Sequence, residues 1–426
     1  MLIVDTALKK RAEEGNPIRL GIVGAGYSGR TIAYQILTAY PAIRLVAMSN
    51  RTLSTAREAL VRADIPDVKT VETLEQLDQT ITSSGHAITE DFSLLCKSDH
   101  IDVIIEATGT IEFGSQVVTE ALKYGKNVVL MNVELDATVG PILKVQADRA
   151  GVVITNTDGD EPGVAMNLIR FVQSIGLKPV VAGNLKGLYD PYRNPDTQKG
   201  FAEAHNQKAT TMTSFADGTK LSMELTVLAN ATGFGVGQRG MYGPKLDHVN
   251  DSADFYGDKL VDGGMVDFLE GAKPGNGAFV IGHGEDPVRS DYLKYLKMGD
   301  GPLYVFYTPF HLPQLEIPLT VARNVLFRDA TVTPKGGPSV DTIAVAKKDL
   351  SAGDTLDGIG GFACYGLLEN YDVSRNIKAL PMGVSDGCKL IRAVPKDQPV
   401  TYDDVELPEG RLCDRLRVEQ GELFSS

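Results

Sequence analysis

The stretch Ile18-Arg19-Leu20-Gly21-Ile22-Val23-Gly24-Ala25-Gly26-Tyr27-Ser28-Gly29 decides how the first part of this chain folds. Ile18 to Val23 reads as an apolar strand, Gly24 to Gly29 spells Gly-x-Gly-x-x-Gly, and Thr31-Ile32-Ala33-Tyr34-Gln35-Ile36-Leu37 continues with helical periodicity. Strand, glycine turn and helix start in that order make a pyrophosphate seat. Gly24 permits the tight turn, Gly26 lets the backbone approach the phosphates, and Gly29 lets helix and strand pack closely. Tyr27 and Ser28 fall inside the same seat. A dinucleotide cofactor is the first expectation.

The next strand tests it. Arg44-Leu45-Val46-Ala47-Met48 ends in Ser49-Asn50-Arg51-Thr52, where an Asp or Glu for the ribose hydroxyls would mark NAD. Asn50, Arg51 and Thr52 instead offer a guanidinium and neutral hydrogen-bonding groups, which favours NADP(H). A solvated arginine in a turn is the plainer alternative. Further on, Ile101-Asp102-Val103-Ile104-Ile105-Glu106-Ala107-Thr108-Gly109 reads as a buried parallel strand whose Ala107-Thr108-Gly109 end would face a nicotinamide. A helix over 114–124, a strand over 127–132 ending in Asn132, a helix over 139–150 and a strand over 152–156 continue the alternation.

The fold expected is α/β: a Rossmann-type doubly wound parallel sheet over 1–160, an α+β catalytic and dimerisation domain over 161–333, and an all-β domain over 334–426. Pro334-Lys335-Gly336-Gly337-Pro338 reads as the linker into the last. No apolar run approaches the roughly 20 residues of a membrane span. The start, Met1-Leu2-Ile3-Val4-Asp5, turns at once into a charged helix and has no signal-peptide pattern, so the expected location is cytoplasmic. Cys96, Cys364, Cys388 and Cys413 lack metal or disulfide spacing and read as core thiols. A formal charge of −13 disfavours nucleic acid and anionic membrane as partners, so an anionic substrate must be met by local cations.

Candidate chemistry gathers after residue 157. Thr157-Asp158-Gly159-Asp160-Glu161-Pro162-Gly163 is a polar loop leading into a helix from Val164. Its acids read equally as a clamp on a substrate hydroxyl or cation and as caps of the following helix. Val180 to Gly187 is a strand delivering Lys186 at its end, and the Asp217-Gly218 turn leads Lys220 and Glu224 into a helix. Apolar context would turn Lys186 and Lys220 inward, where a lysine can donate a proton or polarise a carbonyl. Arg193, Lys208 and Arg239 are candidate anchors for an anionic substrate, with Lys389 and Arg392 as neighbours from the last domain; each taken singly reads better as a solvated surface cation. His311, in the proline-rich run Tyr307-Thr308-Pro309-Phe310-His311-Leu312-Pro313, is the histidine best placed for substrate contact or proton relay, with a structural role as the alternative.

Glu106-Ala107-Thr108-Gly109 followed by Gly125-Lys126-Asn127-Val128-Val129-Leu130-Met131-Asn132 resembles the cofactor domain of homoserine dehydrogenases, with Val133-Glu134 where that family usually has a lysine. Val340 to Leu356 and Ala393 to Val405 look like the SAF, or β-clip, domain. Together with the Asp158 to Gly163 loop, Ser214 to Glu224 and Tyr307 to Pro318, the chain resembles the 1-deoxy-D-xylulose 5-phosphate reductoisomerase-like proteins. That resemblance implies a homodimer of three-domain subunits using NADPH to make 2-C-methyl-D-erythritol 4-phosphate for isoprenoid synthesis from a small phosphorylated sugar. It implies catalysis by Lys186, Asp160, Glu161, Lys220, Glu224 and His311. A divalent cation, magnesium or manganese, on Asp160 and Glu161 is compatible with it, although no spaced ligand set establishes one. Other NADP-linked dehydrogenases or oxidoisomerases of sugar or sugar-acid phosphates, a homoserine dehydrogenase-like enzyme, and a non-enzymatic redox sensor stay open beside it.

Overall fold

Strand β1 (Ile18–Val23) is buried at every position except Arg19, a pattern possible only for a strand with neighbours on both edges and cover on both faces. The computed structural model describes residues 4–425, and their contacts divide the chain into two units. The first unit comprises the chain up to Asp136, Ile142–Asp160 and Leu312–Thr333. Its other strands are β2 (Ile43–Ser49), β3 (Val68–Thr70), β4 (His86–Thr89), β5 (Val103–Glu106), β6 (Asn127–Leu130) and β7 (Ile154–Asn156). They form one parallel sheet in the order β3-β4-β2-β1-β5-β6-β7.

The chain runs from β1 to β2, out to the edge strand β3, back to β4 between them, and then crosses to β5 on the other side of β1. The β1/β5 pair is therefore the point where strand order reverses, the place at which open α/β sheets hold ligands. One apolar core holds this part of the sheet to its helices: Leu20, Ile22, Leu45, Val103, Ile105 and Val129 pack with Ile32 and Ile36 of the helix Tyr27–Ala39. Ile317, Val321 and Ala322, on the returning helix Ile317–Phe327, join the same core.

The second unit comprises Ala137–Pro141, Glu161–His311 and the chain from Pro334. Strands β8 (Lys178–Lys186), β9 (Met265–Glu270), β10 (Ala278–His283) and β11 (Leu303–Thr308) form a mixed sheet in the order β11-β10-β8-β9, with β8 and β9 parallel and the other pairs antiparallel. Both faces are covered. Ala182, Val266 and Val280 pack with Val172, Leu221, Leu225 and Leu228 of two helices, Glu161–Ser174 and Thr219–Thr232. Val181, Leu185, Met265, Phe279 and Ile281 face the opposite way toward Tyr256, the two-residue alternation of a strand buried on both sides.

From Pro334 onward, β12 (Val340–Ala346) and β13 (Cys364–Asn370) make an antiparallel pair, and β14 (Lys389–Leu390) with β15 (Val405–Glu406) a smaller one. The glycine- and proline-punctuated strands expected there are present, but an all-β reading omits the 12-residue helix Leu412–Leu423 and the short helix Tyr371–Asn376. The β12–β13 pair docks on the helix Thr219–Thr232. Gly366 N–H donates to Thr219 Oγ1 at 2.8 Å, Ser222 Oγ donates to Gly366 O at 3.0 Å, and the Thr226 and Thr342 hydroxyls meet at 2.7 Å. All four cysteines are buried and free. No helix among the described residues is long and apolar enough to cross a membrane.

Candidate active site

In the first unit the fingerprint glycines take the positions their residue type demands. Gly24 has φ +105°, and a Cβ there would lie 2.6 Å from Ala107 O. At Gly29 a Cβ would stand 2.0 Å from Gly24 O, so only glycine lets the helix start fold back on the turn. Gly26 is the opposite case: it is exposed with nothing within 4 Å of its missing Cβ, an open approach to the backbone. The register Val23↔Glu106 sets Gly24 beside Ala107, and Ala107 N–H donates to Val23 O at 2.9 Å. Gly24 to Gly29 and Ala107 to Gly109 thus line one crevice at the carboxyl ends of β1 and β5. Ser28 Oγ accepts from Gln314 Nε2 at 3.3 Å, while Tyr27 is half exposed.

Arg51 and Thr52 are exposed just past the end of β2, and among the described residues no carboxylate pairs with Arg51. Two residues expected to contact a cofactor are instead committed to the protein. Asn50 accepts from Ala25 N–H at 3.1 Å and donates to Thr52 O at 2.9 Å, which ties the glycine turn to β2. Asn132, fully buried, accepts from Leu135 N–H at 3.1 Å as the cap of the helix Val133–Ala150 and donates to Thr110 O at 3.0 Å. Asn132 is buried and its amide is satisfied within the protein, while the part-exposed Asn50 braces the glycine turn.

The acidic loop divides its members between structure and chemistry. Asp158 accepts from the hydroxyls of Thr320 at 2.9 Å and Thr331 at 2.6 Å and from the Arg323 guanidinium, which clamps the returning helix to the sheet. Gly159 must be glycine because a Cβ would meet Leu312 O at 2.5 Å. Asp160 closes the first unit, and the helix begins at Glu161, not at Val164. Pro162 therefore sits in the first helical turn, where its missing N–H costs nothing.

Within the second unit, four of the expected residues form one connected group. Glu161 and Glu224 are 8% and 2% exposed, and each has a carboxylate oxygen within 4.8 Å of the other's. His311 Nε2 lies 3.4 Å from Glu161 Oε1, and Lys220 Nζ lies 3.7 Å from Glu224 Oε1. One member was not foreseen. Asn184 of β8, 1% exposed, donates from Nδ2 to Glu224 Oε2 at 2.8 Å and leaves Oδ1 buried without a hydrogen bond among the described residues. A polar amide inside an apolar strand was the available signal, since Asn is depleted from strands. Lys186 lies two residues further along β8, on the same face as Asn184, half-buried and with no ion pair or side-chain hydrogen bond among the described residues.

The proposed anchors scatter. Arg239 is paired with the buried Glu369 at 2.6 Å and Arg193 with Asp190 at 3.0 Å, so both guanidiniums are held by carboxylates. Lys208 is exposed ahead of the helix Ala209–Ala216, and Arg392 is paired with Asp404. Among the described residues, none of the four is joined to the Glu161–Glu224 group by a hydrogen bond or ion pair. Sequence alone could not see this, because ion pairing depends on which carboxylate the fold brings near.

Residues 159–317 match the family model described as oxidoreductase DRL, catalytic domain. No curated protein is matched by the sequence. Among solved structures, an NAD binding oxidoreductase from Klebsiella pneumoniae is similar at 18% identity over 42% of this chain, with a TM-score of 0.30. This chain covers only 45% of that protein's length. Scyllo-inositol dehydrogenase from Lactobacillus casei, with bound NAD(H) and scyllo-inositol, is similar at 15% identity over 73% of this chain and 88% of its own, with a TM-score of 0.40. DOX-P reductoisomerase in complex with NADPH, fosmidomycin and magnesium is similar at 16% identity over 50% of this chain and 57% of its own, with a TM-score of 0.34.

Proposed function

We propose that this chain is an NADPH-dependent reductoisomerase acting on 1-deoxy-D-xylulose 5-phosphate, releasing 2-C-methyl-D-erythritol 4-phosphate. The observation that carries the reading is the buried Glu161–Glu224 pair with Lys220, His311 and Asn184 around it, inside the segment matched by an oxidoreductase catalytic domain. The glycine crevice of the first unit supplies the second requirement, a seat for the nicotinamide cofactor.

The reaction breaks and remakes a carbon–carbon bond to give a branched aldehyde, which hydride from NADPH then reduces. Charge builds on oxygen and hydroxyl protons must move, so the site needs cations and carboxylates side by side. Lys220 and Lys186 are the cations that would polarise the reacting oxygens. Glu161 and Glu224 would take and return hydroxyl protons, with His311 relaying through Glu161 at 3.4 Å. Two buried carboxylates this close repel each other unless a positive charge lies between them.

That geometry fits a divalent cation. Glu161 and Glu224 offer oxygens close enough to share an ion, Asp160 precedes Glu161 in the chain, and the buried Asn184 Oδ1 is a neutral oxygen still lacking a donor. When bound, magnesium or manganese would stabilise negative charge on substrate oxygens. Spectrophotometric NADPH oxidation with 1-deoxy-D-xylulose 5-phosphate, followed by product identification, tests the reading. Lys186→Met should abolish turnover while NADPH still binds. Turnover only with a different sugar phosphate, and no branched product, would replace the proposal by a simple NADP-linked dehydrogenase.

A further inference from the structure

At the end of β5 a carboxyl is buried more completely than any acid of the Glu161–Glu224 group. Glu106 is 0% exposed. Its Oε1 accepts from Thr108 N–H at 2.8 Å and also from Thr108 Oγ1, a bond from a side chain to its own backbone two residues on. That bond turns the chain out of the strand direction. Gly109 then takes φ +66°, and Thr110 opens the helix Ile111–Lys123.

The other oxygen, Oε2, makes no hydrogen bond within normal limits among the described residues. The groups acting on the carboxyl are Thr108, the Asn132 amide and the like charge of Glu134, and no lysine or arginine is among them. Gly114 makes room for this arrangement, since a Cβ there would stand 3.0 Å from Asn132 Nδ2 and 3.3 Å from Glu106 Cδ. A buried carboxylate without a cation is too costly to remain ionised. Burial accordingly raises the Glu106 pKa above the usual carboxylate range. Oε1 receives both Thr108 donors, and these bonds together with the Asn132 amide act against the rise.

We propose that Glu106 is a positioning residue of the cofactor crevice, a buried carboxyl whose hydrogen bonds hold the Ala107–Gly109 turn beside Gly24. This rests on reading the crevice as the cofactor seat. Burial that favours the uncharged form suits such a seat, because a full carboxylate at the strand end would repel an anionic dinucleotide in a medium that screens charge poorly. Glutamine can reproduce the arrangement, its carbonyl replacing Oε1 as the acceptor of the Thr108 donors. Alanine removes it.

NADPH binding, followed by the cofactor's own fluorescence in a chain that contains no tryptophan, tests the proposal in wild type, Glu106→Ala, Glu106→Gln and Thr108→Val. The adenine-side fragment 2′,5′-ADP, which reports on the far end of the seat, serves as control. Expected are a tenfold or greater loss of NADPH affinity in Glu106→Ala, a severalfold loss in Thr108→Val, rescue to within twofold of wild type by Glu106→Gln, and 2′,5′-ADP affinity within twofold throughout. NADPH affinity in Glu106→Ala equal to wild type overturns the proposal, as does a Glu106→Gln variant no better than alanine. Parallel loss of both ligands also overturns it, because that marks general damage. If Glu106→Ala does not fold, Glu106→Gln and Thr108→Val decide by the same criteria. Failure of the wild-type chain to bind NADPH at all would instead sink the reading of the crevice on which this rests.

Discussion

Asp158 and Glu161 stand three residues apart in one acidic loop and lead different lives. Asp158 sits among the Arg323 guanidinium and two threonine hydroxyls, so its charge is matched and its lone pairs are used. Glu161 is almost as deeply buried, yet it lies beside a second carboxylate, Glu224. A buried acid saturated by donors and an opposite charge is a structural clamp. A buried carboxylate pair with a lysine, a histidine and an amide around it has groups within reach that can exchange protons and charge. Neither residue type nor burial separates these two acids; their partners do.

The widest gap should appear at Glu224. Replacing it by Gln keeps the shape and loses the charge, so NADPH turnover should fall about 10³-fold, near 4 kcal/mol in barrier. Its melting temperature should remain close to wild type. An active Glu224→Gln enzyme would break the distinction between the two acids. Asp158→Ala should do the reverse, costing about 3 kcal/mol of stability in urea unfolding because it removes the buried carboxylate shared by the Arg323 guanidinium and the Thr320 and Thr331 hydroxyls. Its surviving folded fraction should keep normal kcat. A kcat defect matching that of Glu224→Gln would place Asp158 in the chemistry.

Asp136 sharpens the comparison, being a third buried acid with neither a cation nor a close carboxylate acting on it among the described residues. It is 3% exposed, accepts from Asn156 Nδ2 at 3.2 Å, and burial pushes its pKa to about 6 from the ordinary 3.8. A group that binds its proton more tightly when folded favours folding at low pH. That advantage is present below the unfolded value of 3.8 and is lost as pH rises through about 6. Asp136→Asn should therefore raise stability by about 1–3 kcal/mol at pH 8 and change little at pH 4, as read by urea unfolding at the two values. Equal effects at both would remove burial as the cause. The smallest effect belongs to an exposed residue: Arg51→Asp should weaken NADPH relative to NADH by about tenfold in KM, near 1.4 kcal/mol. Equal changes for both cofactors would cancel the 2′-phosphate role.

Local sequence carried the parallel sheet, the glycine turn and the helix bearing Lys220 and Glu224, because strand burial, glycine sterics and helical periodicity are properties of neighbours in the chain. It also marked Glu161, Glu224, Lys220 and His311, which the fold joins in one group. It did not foresee the carboxylate partners of Arg239 and Arg193. Nor did it foresee the hydrogen bonds that Asn50 and Asn132 make within the protein. Asn184 went unseen because its meaning depends on a contact 40 residues away in sequence.

Sequence by itself determined the strand–glycine–helix seat and the kinds of side chain available to a reactive site, since those follow from short-range sterics and side-chain chemistry. Tertiary structure alone decided which partners each acid meets: an arginine and two threonine hydroxyls at Asp158, a second carboxylate with Lys220, Asn184 and His311 at Glu161 and Glu224. Charge matching and desolvation act between groups that the chain separates by tens or hundreds of residues, and only folding brings them within reach of one another.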